Sequence, residues 1–153
     1  YLKKLREIRV NNCFYGAKKD YLVQYQTVWK KVLDDAMSDP NIASYVLDFS
    51  IVAASSDYIL ITSKLESTAN ILNLKLDQME ELLGHYFDKP VHFFALSEQD
   101  WRKEKEEYIL KLKQKYEYSF INESILDDMK PEKNSELEEI TINVFNRDKI
   151  EIV

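Results

Sequence analysis

The chain has little of what many catalytic and nucleotide-binding motifs are built from. Only two of its 153 residues are glycine, Gly16 and Gly84, so it contains neither a Walker A loop nor a dinucleotide-binding fingerprint. Its single cysteine, Cys13, excludes an internal disulfide and fits a reducing cytoplasm, the compartment we expect. No apolar run approaches the ~20 residues of a membrane helix, so we expect no membrane association. We also expect no signal peptide, and an opening residue Tyr1 in place of Met predicts a piece of a longer protein.

Basic charge is scarce relative to acidic charge, and the acidic excess lies in one part of the chain. Residues 116–153 hold ten acids and four bases, whereas the preceding 115 residues hold 17 of each, so the whole net charge of −6 falls in the last quarter. A broad nucleic-acid surface is basic, and this distribution disfavours one. An acidic tail on a neutral body suits a segment steered onto a basic protein partner.

The stretch from Ser50 to Leu96 predicts the core of the fold. Two β-rich runs flank a turn at Ser56-Asp57, which predicts a hairpin. A long amphipathic helix follows, because apolar residues recur at steps of four and three: Leu65, Ala69, Leu72, Leu76, Met79, Leu83 and Tyr86. Residues 90–96 close this unit as a crossover strand. The pattern predicts an α+β fold, with a small mixed sheet covered by helices.

The flanking segments predict further helices. Residues 1–10 are predicted to be helical, and Asn11-Asn12 is predicted to stop or break that helix. A second helix starts near Asp20, which would cap it, and ends at Asp39-Pro40. It carries an apolar stripe: Leu22, Tyr25, Trp29, Val32 and Ala36. Residues 41–49 fit a short helix, with a strand as the alternative.

After the central unit, Ser97 followed by Asp100 predicts a capping-box start for another helix. One side of that helix is predicted to carry its aromatic and apolar residues: Trp101, Tyr108, Ile109, Leu112 and Tyr116. Its other side is rich in Lys and Glu and is predicted to face solvent.

The C-terminal part divides into two segments by composition. Residues 119–136 predict an acidic linker, and residues 137–153 alternate like a strand-prone interaction tail. The candidate partner-binding residues are Ile140, Ile142, Val144, Phe145, Asp148, Ile150 and Ile152. Such a tail can add a strand to an exposed edge of a partner, or it can pair with this domain's own sheet. The pattern leaves both interpretations open.

Side chains that could carry chemistry are few. His85 and His92, with Asp88 between them, offer too few ligands at too wide a spacing for a zinc site. Nothing near Cys13 in sequence activates it as a nucleophile, so a small buried thiol is the preferred interpretation. Trp29 and Trp101 lie on apolar stripes, which favours core packing over partner anchoring. We therefore predict no catalytic residue, no cofactor and no metal.

Several stretches in order along the chain resemble one known family. They are residues 5–12, residues 17–19 with the Trp29 helix, residues 51–61, residues 90–101 and the terminal motif 144–152. Together they resemble the C-terminal, polymerase-binding region of the bacterial DNA polymerase III tau subunit, a clamp-loader subunit. A glycine expected near Asn146 is missing.

The resemblance implies a fold and a role. Residues 20–118 would form a domain similar to type II KH-like domains, with residues 1–19 as an N-terminal helix and linker. The region would tether the replicative DNA polymerase, a C-family alpha-type subunit, to the clamp loader. Other clamp-loader subunits would bind through a missing N-terminal part, an AAA+ ATPase module whose Walker and zinc motifs are not in this sequence. The chain itself is then expected not to hydrolyse ATP.

Two other functions compete with this role. A KH-like domain could bind RNA or single-stranded DNA, but such domains grip the backbone with a Gly-x-x-Gly loop, and this chain has none. The acidic net charge also disfavours direct nucleic-acid binding. An enzyme whose site joins His85 or His92 to distant acids ranks last, since no motif supports it.

Overall fold

Three strands form the centre of the fold, and helices cover both faces of their sheet. The computed structural model describes residues 1–129. Within that range the elements are α1 Leu2–Tyr15, α2 Lys19–Ala36, α3 Pro40–Val46, β1 Ser50–Ala54, β2 Tyr58–Ser63, α4 Glu66–Asn73, α5 Leu76–Phe87, β3 His92–Ser97, α6 Glu98–Lys113 and a 3-10 helix at Glu123–Met129. No helix among these residues has the length and apolar content needed to cross a membrane.

One compact unit, Leu2–Asn122, contains all of the α-helices and strands named above. The helix α1 therefore belongs to the same unit as residues 20–118, and it contributes buried side chains such as Leu5 and Phe14. The 3-10 helix, which falls on the predicted acidic linker, belongs to a separate unit.

The sheet has the order β1-β2-β3 and is mixed, as the sequence predicts. β1 and β2 form an antiparallel hairpin with Ile51 opposite Ile61, and the register shifts between Ile51 and Ala53. β3 returns beside β2 in parallel, with Ile59 opposite Phe93. Every residue of β2 is buried, because helices pack on both faces of the central strand.

The two faces of the sheet bury alternate residues of each strand. On one face, α2 to α5 enclose the main core around the fully buried Ile61 and Phe93. On the other face, α1 and α6 pack against the sheet, and Leu60 and Phe94 are buried there. This alternation is the period of two that a strand imposes.

The long helix predicted from Leu65 to Tyr86 is wrong, because the chain forms two helices with a break at Leu74-Lys75. Lys75 has φ −116° and ψ 37°, outside the helical region. The break lets α4 lie along β3 while α5 packs against α2. The apolar spacing of three and four continues across the break, which is why periodicity alone did not reveal it.

The predicted helix stop at Asn11-Asn12 is also wrong, because α1 continues to Tyr15. The side chains of both asparagines bond to a distant part of the chain: Asn11 Nδ2 donates to the Ser119 carbonyl at 2.7 Å, and Asn12 Nδ2 donates to the Ile121 carbonyl at 2.8 Å. Tertiary hydrogen bonds therefore override the low helix propensity of asparagine.

The predicted helix starts have mixed outcomes. Ser97 caps α6 as predicted, since its Oγ accepts from the Asp100 N–H at 3.0 Å. Asp20 lies inside the first turn of α2 and Lys18 stands at the N-cap, so the Asp20 cap is wrong. Residues 41–49 contribute to a helix and not to a strand, and Asp39 caps it by accepting from the Asn41 N–H at 3.0 Å.

The predicted apolar side of α6 is correct only in part. The rings of Trp101 and Tyr108 lie 6.1 Å and 4.2 Å from the Phe14 ring, so these two residues face α1. Ile109 and Leu112 are exposed instead, and no residue of α6 is fully buried. The helix packs through partly buried aromatic rings and not through an aliphatic stripe.

Candidate functional site

The seven predicted partner-binding residues lie outside the described part of the chain. They are Ile140, Ile142, Val144, Phe145, Asp148, Ile150 and Ile152. Their role stays a prediction. The described unit instead provides the surfaces and strand edges on which a binding function can be assessed.

Cys13 is a buried thiol, as predicted. Its Sγ lies 3.7 Å from the Tyr58 carbonyl oxygen, to which the thiol donates. Burial raises the pKa of Cys13 to about 12, above the range in which a thiolate forms at neutral pH. The residue therefore fills space between α1 and the sheet and does not act as a nucleophile.

His92 belongs to a charged cluster that spans the start of β3. Its Nδ1 lies 3.1 Å from Glu80 Oε1, and the other carboxylate oxygen, Oε2, lies 2.5 Å from Arg9 Nη1. Burial raises the pKa of Glu80, but the hydrogen bond from His92 and the charge of Arg9 outweigh burial and lower that pKa below its ordinary value. Glu80 is thus held ionised between two donors.

The second histidine, His85, has an aromatic neighbour. The His85 ring lies 5.7 Å from the Tyr86 ring in an edge-on arrangement. Across residues 1–129, no three His, Cys, Asp or Glu side chains come together in a group able to hold a metal ion.

The two tryptophans occupy different environments. Trp29 is buried in the main core, as predicted, and its Nε1 donates to the Phe49 carbonyl at 3.2 Å. Trp101 is only partly buried, beside Phe14 at the surface between α1 and α6. Core packing accounts for Trp29 in full and for Trp101 in part.

The outer edge of β3 is occupied by side chains. The His92 N–H donates to the Asp57 carbonyl at 2.9 Å, so the alternate residues Phe93 and Ala95 turn their peptide groups away from β2. The Asn73 amide pairs with both groups of Ala95: its Nδ2 donates to the carbonyl at 2.8 Å, and its Oδ1 accepts from the N–H at 2.9 Å. Arg9 Nη1 donates to the Phe93 carbonyl at 2.6 Å.

Two carbonyl groups on the outer edge of β1 accept hydrogen bonds from α2 and from the residue before it. Gln26 Nε2 donates to the Ile51 carbonyl at 3.0 Å, and the Lys18 N–H donates to the Ala54 carbonyl at 3.3 Å. Trp29 of α2 donates in the same way to the carbonyl of Phe49, the residue before β1. The register shift after Ile51 adds a bulge, which twists an edge away from regular pairing.

Exposed apolar side chains include a group on α6 and a residue just after α4. On α6, Ile109, Leu110 and Leu112 are 42–55% exposed and alternate with Lys111 and Lys113. At the end of α4, Leu74 is 74% exposed at the tip of the α4–α5 turn. A groove of about 270 Å³ runs beside β3 between α1 and α4, and Asn73 forms part of its wall.

Sequence reasoning missed the buried polar residues that bond to the backbone of other parts of the chain. Arg9, Asn12 and Asn73 are all at most 6% exposed, and each is adjacent to a buried apolar residue of its helix. A polar residue next to a core position is a weak signal for a buried hydrogen bond, but it does not identify the partner. The chain matches no protein-family model, no curated protein and no solved structure.

Proposed function

We propose that this chain is a non-catalytic protein-interaction module that tethers the replicative DNA polymerase to the clamp loader of a DNA polymerase III holoenzyme. The observation that carries the proposal is the ordered resemblance from Leu5 to Ile152 to the C-terminal region of the tau subunit. The folded unit serves as the body, and residues 137–153 are the segment that the polymerase binds.

The element order supports the KH-like part of the proposal. From Lys19 to Ser97 the chain runs through helices, two strands, two helices and a strand, in the mixed sheet described above. A type II KH-like domain is the fold that the family resemblance implies, and this order is compatible with it. Fold alone does not carry function, so the role rests on the tail and its partner.

The chemistry of the described unit favours binding over catalysis. Its buried polar side chains Arg9, Asn12 and Asn73 are engaged with the backbone of other elements. Its one thiol has a pKa of about 12. These groups stabilise the fold, and a catalytic group needs instead a pKa near the working pH and access to substrate.

Nucleic-acid binding is the second candidate, favoured only by the KH-like element order. The turn between α4 and α5 consists of Leu74 and Lys75 and lacks the glycines that allow close approach to a phosphate backbone. Titration of the full chain with single-stranded DNA and RNA at two salt concentrations separates the candidates. Binding that weakens steeply with salt would favour the nucleic-acid role.

The test of the tethering role compares three forms of the chain. The full chain, a chain that ends at Asn134, and a full chain with Phe145→Ala and Ile142→Ala are titrated with the purified replicative polymerase. Because a few buried apolar anchors dominate most interfaces, we expect a loss of roughly 30-fold or more in affinity for the last two. Asn143→Ala, at a polar position between the same anchors, is the matched control. Equal affinity of the full and shortened chains would remove the tail from the proposal.

A further inference from the structure

We propose that a cavity at the C-terminal ends of β2 and β3 binds a small zwitterion, namely an α-amino acid with an aliphatic side chain. All of the residues that form this site belong to the folded unit Leu2–Asn122. The site therefore does not depend on the tethering role proposed above.

The topology of the sheet creates a crevice at this position. β2 and β3 are neighbouring parallel strands, and each leads directly into a helix, β2 into α4 and β3 into α6. α4 packs on the face of the main core, whereas α6 packs with α1 on the opposite face. Parallel neighbours whose helices leave to opposite faces form a crevice beyond their carboxyl ends, and open sheets bind ligands in such crevices.

A cavity of about 580 Å³ lies in this crevice. Its wall consists of residues 47–50, which lead into β1, residues 62–65 at the end of β2, Thr68 in the first turn of α4, and Glu98 at the start of α6. Small-molecule sites typically have volumes of roughly 300–1,000 Å³. The cavity is therefore large enough for a small ligand.

One buried hydroxyl group in this wall lacks a hydrogen-bond partner. Thr62 is 5% exposed, and its side chain bonds to no residue in the part of the chain that the structure describes. Beside it, the Ser63 Oγ accepts from the Leu65 N–H at 3.4 Å, a bond that leaves the Ser63 hydroxyl proton free to be donated. A buried hydroxyl without a partner is unfavourable, and a polar ligand in the cavity would supply one.

The start of α4 suits the carboxylate of the ligand. Leu65, at the N-cap, offers no side-chain acceptor, and the first-turn N–H groups, from Glu66 to Thr68, bond to no residue within 1–129. Such N–H groups and the helix dipole attract an anion. Lys64 lines the same cavity and forms no ion pair with a described residue. Glu66 lines the separate groove beside β3.

Two acids elsewhere in the wall suit the ammonium group of the ligand. Asp48 precedes β1 and Glu98 begins α6, so the charged side chains of the wall are two negative and one positive, Lys64. A dianionic phosphate would be repelled by both carboxylates, whereas an ammonium group would be attracted to them. An α-amino acid carries a carboxylate and an ammonium group on one carbon atom, and it matches both sets of charges.

The apolar part of the wall indicates the side chain of the ligand. Leu47 and Leu65 line the cavity and are 48% and 62% exposed, and the buried Phe49 lies between Leu47 and β1 in sequence. An aliphatic side chain would cover part of this apolar surface. Leucine is therefore a suitable probe, and glycine, which lacks the side chain, should bind about tenfold more weakly.

Titration of the full chain with free leucine, followed by amide NMR, tests the site. We expect saturable shifts at residues 47–50, 62–68 and 98, with a Kd of about 1 mM or below. Leucinamide lacks the carboxylate and N-acetylleucine lacks the ammonium group, so each should bind about tenfold more weakly or worse. The absence of saturable shifts up to about 10 mM leucine would overturn the proposal. Equal binding of N-acetylleucine, or tighter binding of inorganic phosphate, would also overturn it.

Two variants test the carboxylate end of the site. Thr62→Val keeps the shape of the side chain and removes its hydroxyl, and Lys64→Gln removes the positive charge. Each should weaken leucine binding about fivefold or more. Lys31→Gln, at an exposed position outside the cavity, is the matched control and should leave the Kd within about twofold. Unchanged affinity in both site variants would refute the assignment.

A third variant tests the ammonium end and does not depend on the folding of Thr62→Val. Asp48→Asn, at an exposed position, should weaken leucine binding about fivefold and leave the weaker binding of N-acetylleucine unchanged. Asp34→Asn, an exposed acid on α2, is its control and should change neither. Equal weakening of leucine and N-acetylleucine by Asp48→Asn would show that Asp48 does not bind the ammonium group and would contradict the proposal.

Discussion

Two asparagines use the same device to join distant parts of the chain. Asn12 donates to the Ile121 carbonyl and accepts from the Ile121 N–H at 2.9 Å, and Asn73 makes the equivalent pair of bonds with Ala95. A primary amide carries one acceptor and a donor group, so it satisfies both polar groups of one residue. Each asparagine thereby substitutes for a neighbouring strand.

Removal of the Asn12 amide should weaken the fold. Asn12→Ala leaves the peptide groups of Ile121 without their partners, and we expect the free energy of unfolding to fall by about 2 kcal/mol. Urea denaturation followed by circular dichroism measures this change. Asn11→Ala is the matched control. The Asn11 amide donates to the Ser119 carbonyl in an exposed bond and to Asn12 Oδ1, and that oxygen keeps its bond from the Ile121 N–H when Asn11 is replaced, so the cost should stay below about 1 kcal/mol. Equal costs at the two positions would contradict the role of Asn12.

The Glu80 cluster should make stability depend on pH in the acidic range. Because the pKa of Glu80 is lower in the folded chain than its ordinary 4.5, its contribution is complete above the unfolded pKa and is lost as pH falls through the folded pKa. Glu80→Gln should lower the free energy of unfolding by about 2 kcal/mol at pH 7, since Arg9 loses its ionic partner.

The control for this prediction is the exposed neighbour Glu81. Glu81→Gln should leave the free energy of unfolding within about 0.5 kcal/mol of the unaltered chain. The difference in the free energy of unfolding between the unaltered chain and Glu80→Gln should become smaller as pH falls below 4.5. A gap that stays constant from pH 7 to pH 3 would show that ionisation of Glu80 does not contribute.

At the scale of elements, α5 and α6 differ in how much they contribute to the core. Leu83 of α5 is fully buried, whereas Leu110 of α6 is 55% exposed. Leu83→Ala should cost about 2–5 kcal/mol, because it leaves a cavity in the main core. Leu110→Ala, the same change on the outer helix, should cost less than about 0.5 kcal/mol. Thermal or urea unfolding measures both, and a large cost at Leu110 would mean that α6 packs more deeply than its exposure indicates.

The strands were predictable from sequence because their signal is local. Four successive apolar residues, 58–61, next to the Ser56-Asp57 turn indicate a buried strand wherever the chain places it. The break at Leu74-Lys75 and the extension of α1 through Asn12 were not predictable in this way. An asparagine amide lies beside each feature and bonds to a partner 22 or 109 residues away.

The candidate site was less predictable than the fold. The seven tail residues follow from alternation and from a family resemblance, and they fall beyond residue 129. The covered sheet edges have no sequence signature, because Gln26, Arg9 and Asn73 become edge partners only after the helices have packed. Local patterns determine which elements form, but whether the backbone groups of an edge strand can pair depends on how the helices pack against the sheet.

For the whole molecule, the separation of a neutral body from an acidic end predicts a kinetic effect on the proposed binding of the polymerase. Changing Glu136, Glu138 and Glu139 to Gln should lower the association rate severalfold at low salt and change the dissociation rate little. Stopped-flow binding at two ionic strengths measures this. The control changes Glu81, Glu106 and Glu107 of the body to Gln, with the same loss of charge. Equal slowing in both variants would contradict steering by the tail.

Because the single thiol of the chain is buried, a dye can be attached elsewhere without labelling Cys13. A maleimide dye at neutral pH should not react with Cys13 while α1 stays packed against the sheet, because the thiol is both buried and protonated. One cysteine introduced near the end of the chain could then be labelled selectively, with no need to delete the native one. The slow rate at which Cys13 itself is labelled would then measure how often α1 separates from the sheet.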